Sequence, residues 1–203
     1  MKDKTKKLVL TAMLTAICLV LGLTSLGYIP LGPIQITIMC APVIVGTILL
    51  GLKSGLFLGA VFAFTSVMQI FIYPSPLYPL LLVDFISWLK ILVVCIVPRL
   101  LVPVAVHYTN HAFKNKTSSK IRTTGWATAS VVGSITNTVF FLGLFWLLFN
   151  NAASVLSQDM YSLFLGMFTT ATTINAGCEV LFCIIICPAI IYALNKAFFR
   201  NKA

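Results

Sequence analysis

The sequence predicts an all-α integral membrane protein with six transmembrane helices and both termini in the cytoplasm. Three observations carry that prediction. The 203 residues are 60% hydrophobic and 9% charged, more apolar side chain than a soluble core of this length can hide. Six long apolar runs lie at 8–26, 35–52, 54–73, 80–99, 124–149 and 173–195, and a helix needs about 20 such residues to cross about 30 Å of hydrocarbon. Twelve of the 14 Lys and Arg residues fall in the gaps at alternate ends of those runs, as expected when basic residues stay on the cytoplasmic side. The chain, 1–203, is expected to form a single membrane domain of the cell membrane.

The runs show no period-2 alternation of the kind a lipid-facing barrel needs, and helices satisfy their own backbone groups where water is absent. The first run follows Lys2, Lys4, Lys6 and Lys7. It exceeds the usual signal-peptide core and no small-x-small cleavage site follows it, so it reads as a retained helix. Ala12 and Ala16 within it are four apart and give a smooth strip for close helix approach. The second run follows GYIPLGPI (27–34), and Lys53 separates it from the third, where Gly55, Gly59 and Ala63 form a similar strip. The fourth follows YPSPLYP (73–79) and carries Asp84, Trp88 and Lys90. At its inner end Arg99 lies between Pro98 and Pro103, where it is expected to snorkel to lipid phosphate. Lys114, Lys116, Lys120 and Arg122 precede the fifth run, and Lys196, Arg200 and Lys202 follow the sixth. The connections at 27–34, 73–79 and 150–172 hold no basic residue and are expected outside.

The formal net charge of +10 is spread over four short inner segments, a pattern explained by orientation and by anionic membrane lipid rather than by nucleic acid. All six cysteines, Cys18, Cys40, Cys95, Cys178, Cys183 and Cys187, fall inside the runs without a C-x-x-C pair and read as small apolar filler. His107 and His111 are four apart beside the basic loop, with no thiol or carboxylate to complete a metal site. No metal is expected.

The chain has no G-x-x-x-x-G-K-[ST] loop, no H-E-x-x-H and no G-x-S-x-G, and only four acidic residues, which speaks against an enzyme and against ATP hydrolysis by this chain. Polar groups inside the runs are the remaining clue. Asp84, Lys90 and Glu179 each cost about 2.5 to 3.5 kcal/mol at the bilayer centre, so each needs a partner, a wet cavity or a ligand. Asn175 and Glu179 are one turn apart in the outer half of the sixth run, and Asn137 lies near the middle of the fifth. The Pro- and Tyr-bearing outer loops, with Tyr28, Tyr73 and Tyr78, suit a lid over such a pocket.

The lysine-rich start with LVLTAMLTAI, then LGYIPLGPIQITIMCAPVIVGTILLGLKSG, VPRLL at 97–101, GSITNT at 133–138 and TINAGCEVLF at 173–182 resemble, over nearly the whole chain, the substrate-binding S component of an energy-coupling factor (ECF) vitamin transporter. The pantothenate-type branch is the most similar; folate, riboflavin and other vitamin branches stay open as alternatives, since they differ mainly in outer-loop and cavity residues. The resemblance implies a six-helix subunit that captures a small water-soluble vitamin near the outer surface. It implies docking on a transmembrane T component through Ala12 and Ala16, with ATP and Mg at two partner cassette ATPases and no cofactor in this chain. Joined with the polar residues and loops above, it gives Gln35, Tyr78, Asp84, Trp88, Lys90, Asn137, Asn175 and Glu179 as candidate substrate contacts. Asn137, Asn175 and Gln35 supply amides that both donate and accept, Trp88 and Tyr78 apolar contact, and Lys90 a counter-charge for a carboxylate unless Asp84 or Glu179 neutralises it. Two other classes bear on the same residues: a self-contained carrier using Asp84, Lys90 and Glu179 as a proton relay, and a membrane enzyme, for which no nucleophile and base or metal cluster is visible.

Overall fold

The computed structural model describes residues 3–24, 27–31, 34–72, 84–114, 119–149 and 158–199. In chain order the elements are α1 (Asp3–Leu23), a hairpin of β1 (Tyr28–Leu31) and β2 (Ile34–Thr37), α2 (Cys40–Leu50), α3 (Leu52–Ile72), α4 (Phe85–Lys114), α5 (Ser119–Phe149) and α6 (Gln158–Phe199). Among the described residues five helices are long and apolar enough to cross a membrane, and α2 is a shorter apolar one.

The second apolar run is helical only from Cys40, because its first part pairs as a strand. Ile34 and Ile36 alternate with polar Gln35 and Thr37, and Gly32-Pro33 stands between the two strand sequences, a combination that favours a tight antiparallel return over a helix start. Tyr28 pairs with Thr37 and Pro30 with Gln35. The amide of Ile38 then donates to Gly27 O at 3.1 Å, closing the hairpin's base where α2 begins. At the other end of α2, Gly51 has φ 93°, a left-handed value that suits glycine and lets α3 start at once. The segment at 150–172, read from the sequence as a connection, is helical from Gln158 onward.

Close approaches fix how the helices face one another. Gly22 meets Thr65, Gly55 meets Thr47 and Pro103, Gly59 meets the Arg99 carbonyl, and Gly133 meets Val106; at each a Cβ would collide. Phe71 stacks on Trp88 with ring centres 5.7 Å apart. Residue numbers rise on one side and fall on the other in these pairs, so α3 runs antiparallel to α4. Contacts of Phe113 with Gly125, Val106 with Gly133, and Arg99 with Phe141 make α4 antiparallel to α5 in the same way. The link of residues 150–157 reaches about 30 Å at most, less than the about 46 Å length of α5, so α6 must turn back along α5.

The main core joins Leu10, Leu14 and Cys18 of α1, one face at four-residue spacing, to Met39–Val45, Leu58, Phe62, Val102, Val106, Cys183, Cys187 and Ile191. A second cluster of Ile70, Ile91, Val94, Cys95, Phe145 and Phe149 fills the end nearer the hairpin, with Trp88 and Phe141 packed on it. The described Lys4, Lys6, Lys7, Lys53, Arg122 and Lys196 gather at the opposite, basic end. There Lys6 Nζ donates to Phe198 O at 3.0 Å, which ties α1 to the last turn of α6 and opposes the negative C-terminal pole of that helix.

Candidate functional site

Two prolines set up the middle of the bundle. Pro98 and Pro103 both lie inside α4, and a proline has no N–H to give the carbonyl four residues back. The carbonyl thus freed by Pro98 is that of Val94, and Arg99 Nη1 donates to it at 3.2 Å. This turns the guanidinium along its own helix into the bundle. Its carbon lies 4.9 Å from the centre of the Phe141 ring and 5.4 Å from that of Phe62, two cation–π contacts worth about 0.5 to 2 kcal/mol each. Arg99 Nε is buried without a hydrogen-bond partner among the described residues.

This placement corrects the expectation that Arg99 snorkels to phosphate at an inner helix end. The fourth run does not stop at residue 99: the helix continues through Pro103 to Lys114, so Arg99 stands at its midpoint. Prolines that look like a terminus in the sequence here supply a free carbonyl inside a continuous helix.

One face of α5 carries Ser130, Ser134, Asn137 and Phe141, spaced four, three and four residues. Thr128, Ser130 and Thr136 spend their hydroxyls locally, donating to Gly125, Trp126 and Val132 carbonyls one turn back, a common satisfaction of hydroxyls in helices. Ser134 and Asn137 differ. Ser134 is fully buried and Asn137 is 7% exposed, yet Ser134 Oγ and Asn137 Oδ1 have no hydrogen-bond partner among the described residues. A buried polar atom left so costs about 1–3 kcal/mol, a cost that a bound polar molecule removes.

On α6 the four-residue stripe Glu179, Cys183, Cys187 and Ile191 is almost wholly buried. Cys187 is within hydrogen-bonding reach of both Cys183 and Ser130. With the helices antiparallel, that contact sets Glu179 level with Asn137 and Asn175 level with Phe141. Glu179 is within hydrogen-bonding reach of the Cys40 thiol, and Arg99 acts electrostatically on the same thiol. Cys40 opens α2, whose preceding Met39 offers no side-chain cap, so the carboxyl of Glu179 lies beside a helix N-terminus with exposed partial positive charge. Gln69 closes the hairpin end of this layer: its Nε2 donates to Gly22 O at 2.6 Å, while Oε1 is buried without a partner among the described residues.

The sequence-predicted residues therefore separate into two layers. Asn137, Asn175 and Glu179 share the middle with Arg99. Asp84 is exposed at the start of α4, its carbonyl accepting from the Ser87 and Trp88 amides at 3.0 and 3.2 Å. At 1.5 Å per residue it stands about 22 Å along α4 from Arg99, and half-buried Lys90 about 14 Å. Trp88, half-buried, is engaged with Phe71. Gln35 lies on β2 opposite Pro30; Tyr78 lies outside the described residues, as does Tyr73. His107 and His111 have ring centres 6.2 Å apart, and among the described residues no three His, Cys, Asp or Glu side chains group as a metal site would require. Arg99, Ser134, Gln69 and Cys40 were not singled out for this layer from the sequence. For Arg99 the legible signal was Pro at the position before it, with apolar residues continuing on both sides.

Five long apolar helices and a shorter one, with polar side chains buried among them, define a multi-pass protein of the cell membrane. The chain belongs to the family of ECF transporter substrate-specific components, whose model, "ECF transporter, substrate-specific component", matches residues 6–191. It is similar to the pantothenic acid transporter PanT of Lactococcus lactis subsp. cremoris (strain MG1363), at 29% identity over 212 aligned positions that cover 100% of this chain and 99% of the relative. The family's members are substrate-binding subunits of transporters rather than enzymes.

Proposed function

We propose that this chain is the capture subunit of an ECF-type importer for pantothenate, a small hydroxylated amide acid. The observation that carries the reading is half-buried Arg99, whose buried Nε has no hydrogen-bond partner among the described residues, in the same layer as the likewise unserved Asn137 Oδ1. A cation held between aromatic rings and an amide that both donates and accepts suit a carboxylate joined to N–H and O–H groups. Arg99 takes the counter-charge role expected of Lys90 from sequence alone. Asn137, Asn175 and Glu179 bind the polar body, while Asp84, Trp88 and Lys90 line the approach and Gln35 and Tyr78 belong to the cover over it. The similarity to PanT supports this substrate over folate or riboflavin.

In this reading the chain spans the membrane six times, the short α2 included, with the basic end and both termini cytoplasmic and the hairpin outside. Ala12 and Ala16 are exposed on α1, opposite its buried Leu10–Leu14–Cys18 face, and dock on the T component, through which two partner ATPases with ATP and Mg drive release. Radiolabelled pantothenate binding to the purified protein tests the substrate. Saturable binding that riboflavin and folate do not displace is expected, with loss in Arg99→Gln and Asn137→Ala. Uptake by the chain alone, driven by a proton gradient without the ATPases, would overturn the assignment as a capture subunit.

A further inference from the structure

The unserved polar atoms lie in a fixed order along α5. Phe141, on which the Arg99 guanidinium rests, is followed one turn nearer the basic end by Asn137 and one turn further by Ser134, all on one helix face. Seven residues separate the first from the last, about 10 Å at 1.5 Å per residue. An extended chain advances about 1.2 Å per bond, so that interval matches about eight bonds. From the carboxylate carbon of pantothenate to its terminal hydroxyl oxygen there are also about eight.

Resting on the pantothenate reading above, we propose that α5 is a length gauge and that Ser134 is a specificity-determining residue. It receives the hydroxyl terminus of a linear hydroxy-acid amide whose carboxylate lies at Arg99 and whose amide lies at Asn137. The contrast within the helix supports this. Ser130, one turn further on, donates to Trp126 O at 2.8 Å and has no need of a ligand, whereas the equally buried Ser134 Oγ has no partner. The neighbouring Gly133 is clamped against Val106 and Ile44, which fixes how far this stretch of α5 can rotate. Ser134 therefore presents its hydroxyl inward as one acceptor and donor for a terminal O–H.

The test compares affinities for pantothenate, its analogue lacking the terminal hydroxyl, and its homologue with one more methylene between amide and carboxylate, using the full chain in lipid nanodiscs. In the unaltered protein both analogues bind more weakly than pantothenate. Ser134→Ala weakens pantothenate about fivefold, as for one lost hydrogen bond, and leaves the deoxy analogue unchanged; Ser130→Ala changes neither. Equal effects of Ser134→Ala on both ligands, or none on either, overturn the gauge while the pantothenate reading stands. Failure of the unaltered protein to bind pantothenate overturns both. Should Ser134→Ala not fold, the length series decides: equal affinity for the longer homologue overturns the gauge, and weaker affinity upholds it.

Discussion

Arg99 donates to the carbonyl of Val94 at 3.2 Å, the one main-chain acceptor in its turn of α4 that Pro98 leaves without an N–H. A residue that cannot donate is thus what aims a charged neighbour into an apolar bundle. The arrangement fixes the guanidinium before any substrate arrives, which lowers the ordering cost of binding.

Replacing Pro98 by Ala restores a backbone donor to Val94 and frees Arg99 to swing. Substrate affinity is expected to fall about three- to tenfold, on the scale of one hydrogen bond, with melting temperature held or raised. Calorimetric titration and a thermal melt of the same sample check the two halves. A fall in stability with unchanged affinity would show that the proline serves packing alone.

Arg99→Lys keeps the charge but loses the planar fork and the stacking on Phe62 and Phe141. Its affinity for a carboxylate substrate is expected to drop at least tenfold, and Arg99→Gln further, because truncating a buried charge partner costs about 2–5 kcal/mol. Affinity for the corresponding neutral alcohol should change far less in either variant. Parallel titrations with acid and alcohol measure the difference.

Gly59 lies against the main chain of α4 at Arg99, where a Cβ would meet the carbonyl oxygen at 2.7 Å. Gly59→Val should cost about 1–3 kcal/mol by overpacking and shift Arg99 with α4. Ala60→Val, one residue on and exposed, should leave the melting temperature within a degree or two, making the pair a direct comparison.

Ala12→Trp and Ala16→Trp should leave pantothenate binding intact and abolish co-purification with the T component, since both positions lie on the exposed face of α1 and bulk prevents close helix approach. Normal uptake in both variants would place docking elsewhere.

Orientation is open to thiol labelling. Asp84→Cys should react with a membrane-impermeant maleimide in intact cells, and Lys53→Cys only after permeabilisation. Five of the six native cysteines are buried, which keeps the background low.

The long apolar helices were legible because hydrocarbon thickness sets a length that α3 and α5 must meet. The hairpin was not. Ile34–Thr37 is as apolar on average as a helix start, and only its alternation and the preceding Gly-Pro distinguish it. Among polar residues, Asn137 and Glu179 were recognisable because an amide or carboxyl inside an apolar run is conspicuous at any register. Arg99 is equally conspicuous but was assigned to a boundary, since Pro98 and Pro103 imitate a helix end. Ser134 left no signal, because a serine in a membrane helix ordinarily bonds its own backbone, as Ser130 does, and only coordinates separate the two.

The bond from Lys6 to the carbonyl of Phe198 has a bearing on biosynthesis. Its donor stands on α1 and its acceptor on α6, so the ribosome makes α2 to α5 between the two. The clasp between α1 and α6 can therefore form only once the four helices between them exist, a late step in the assembly of the basic end.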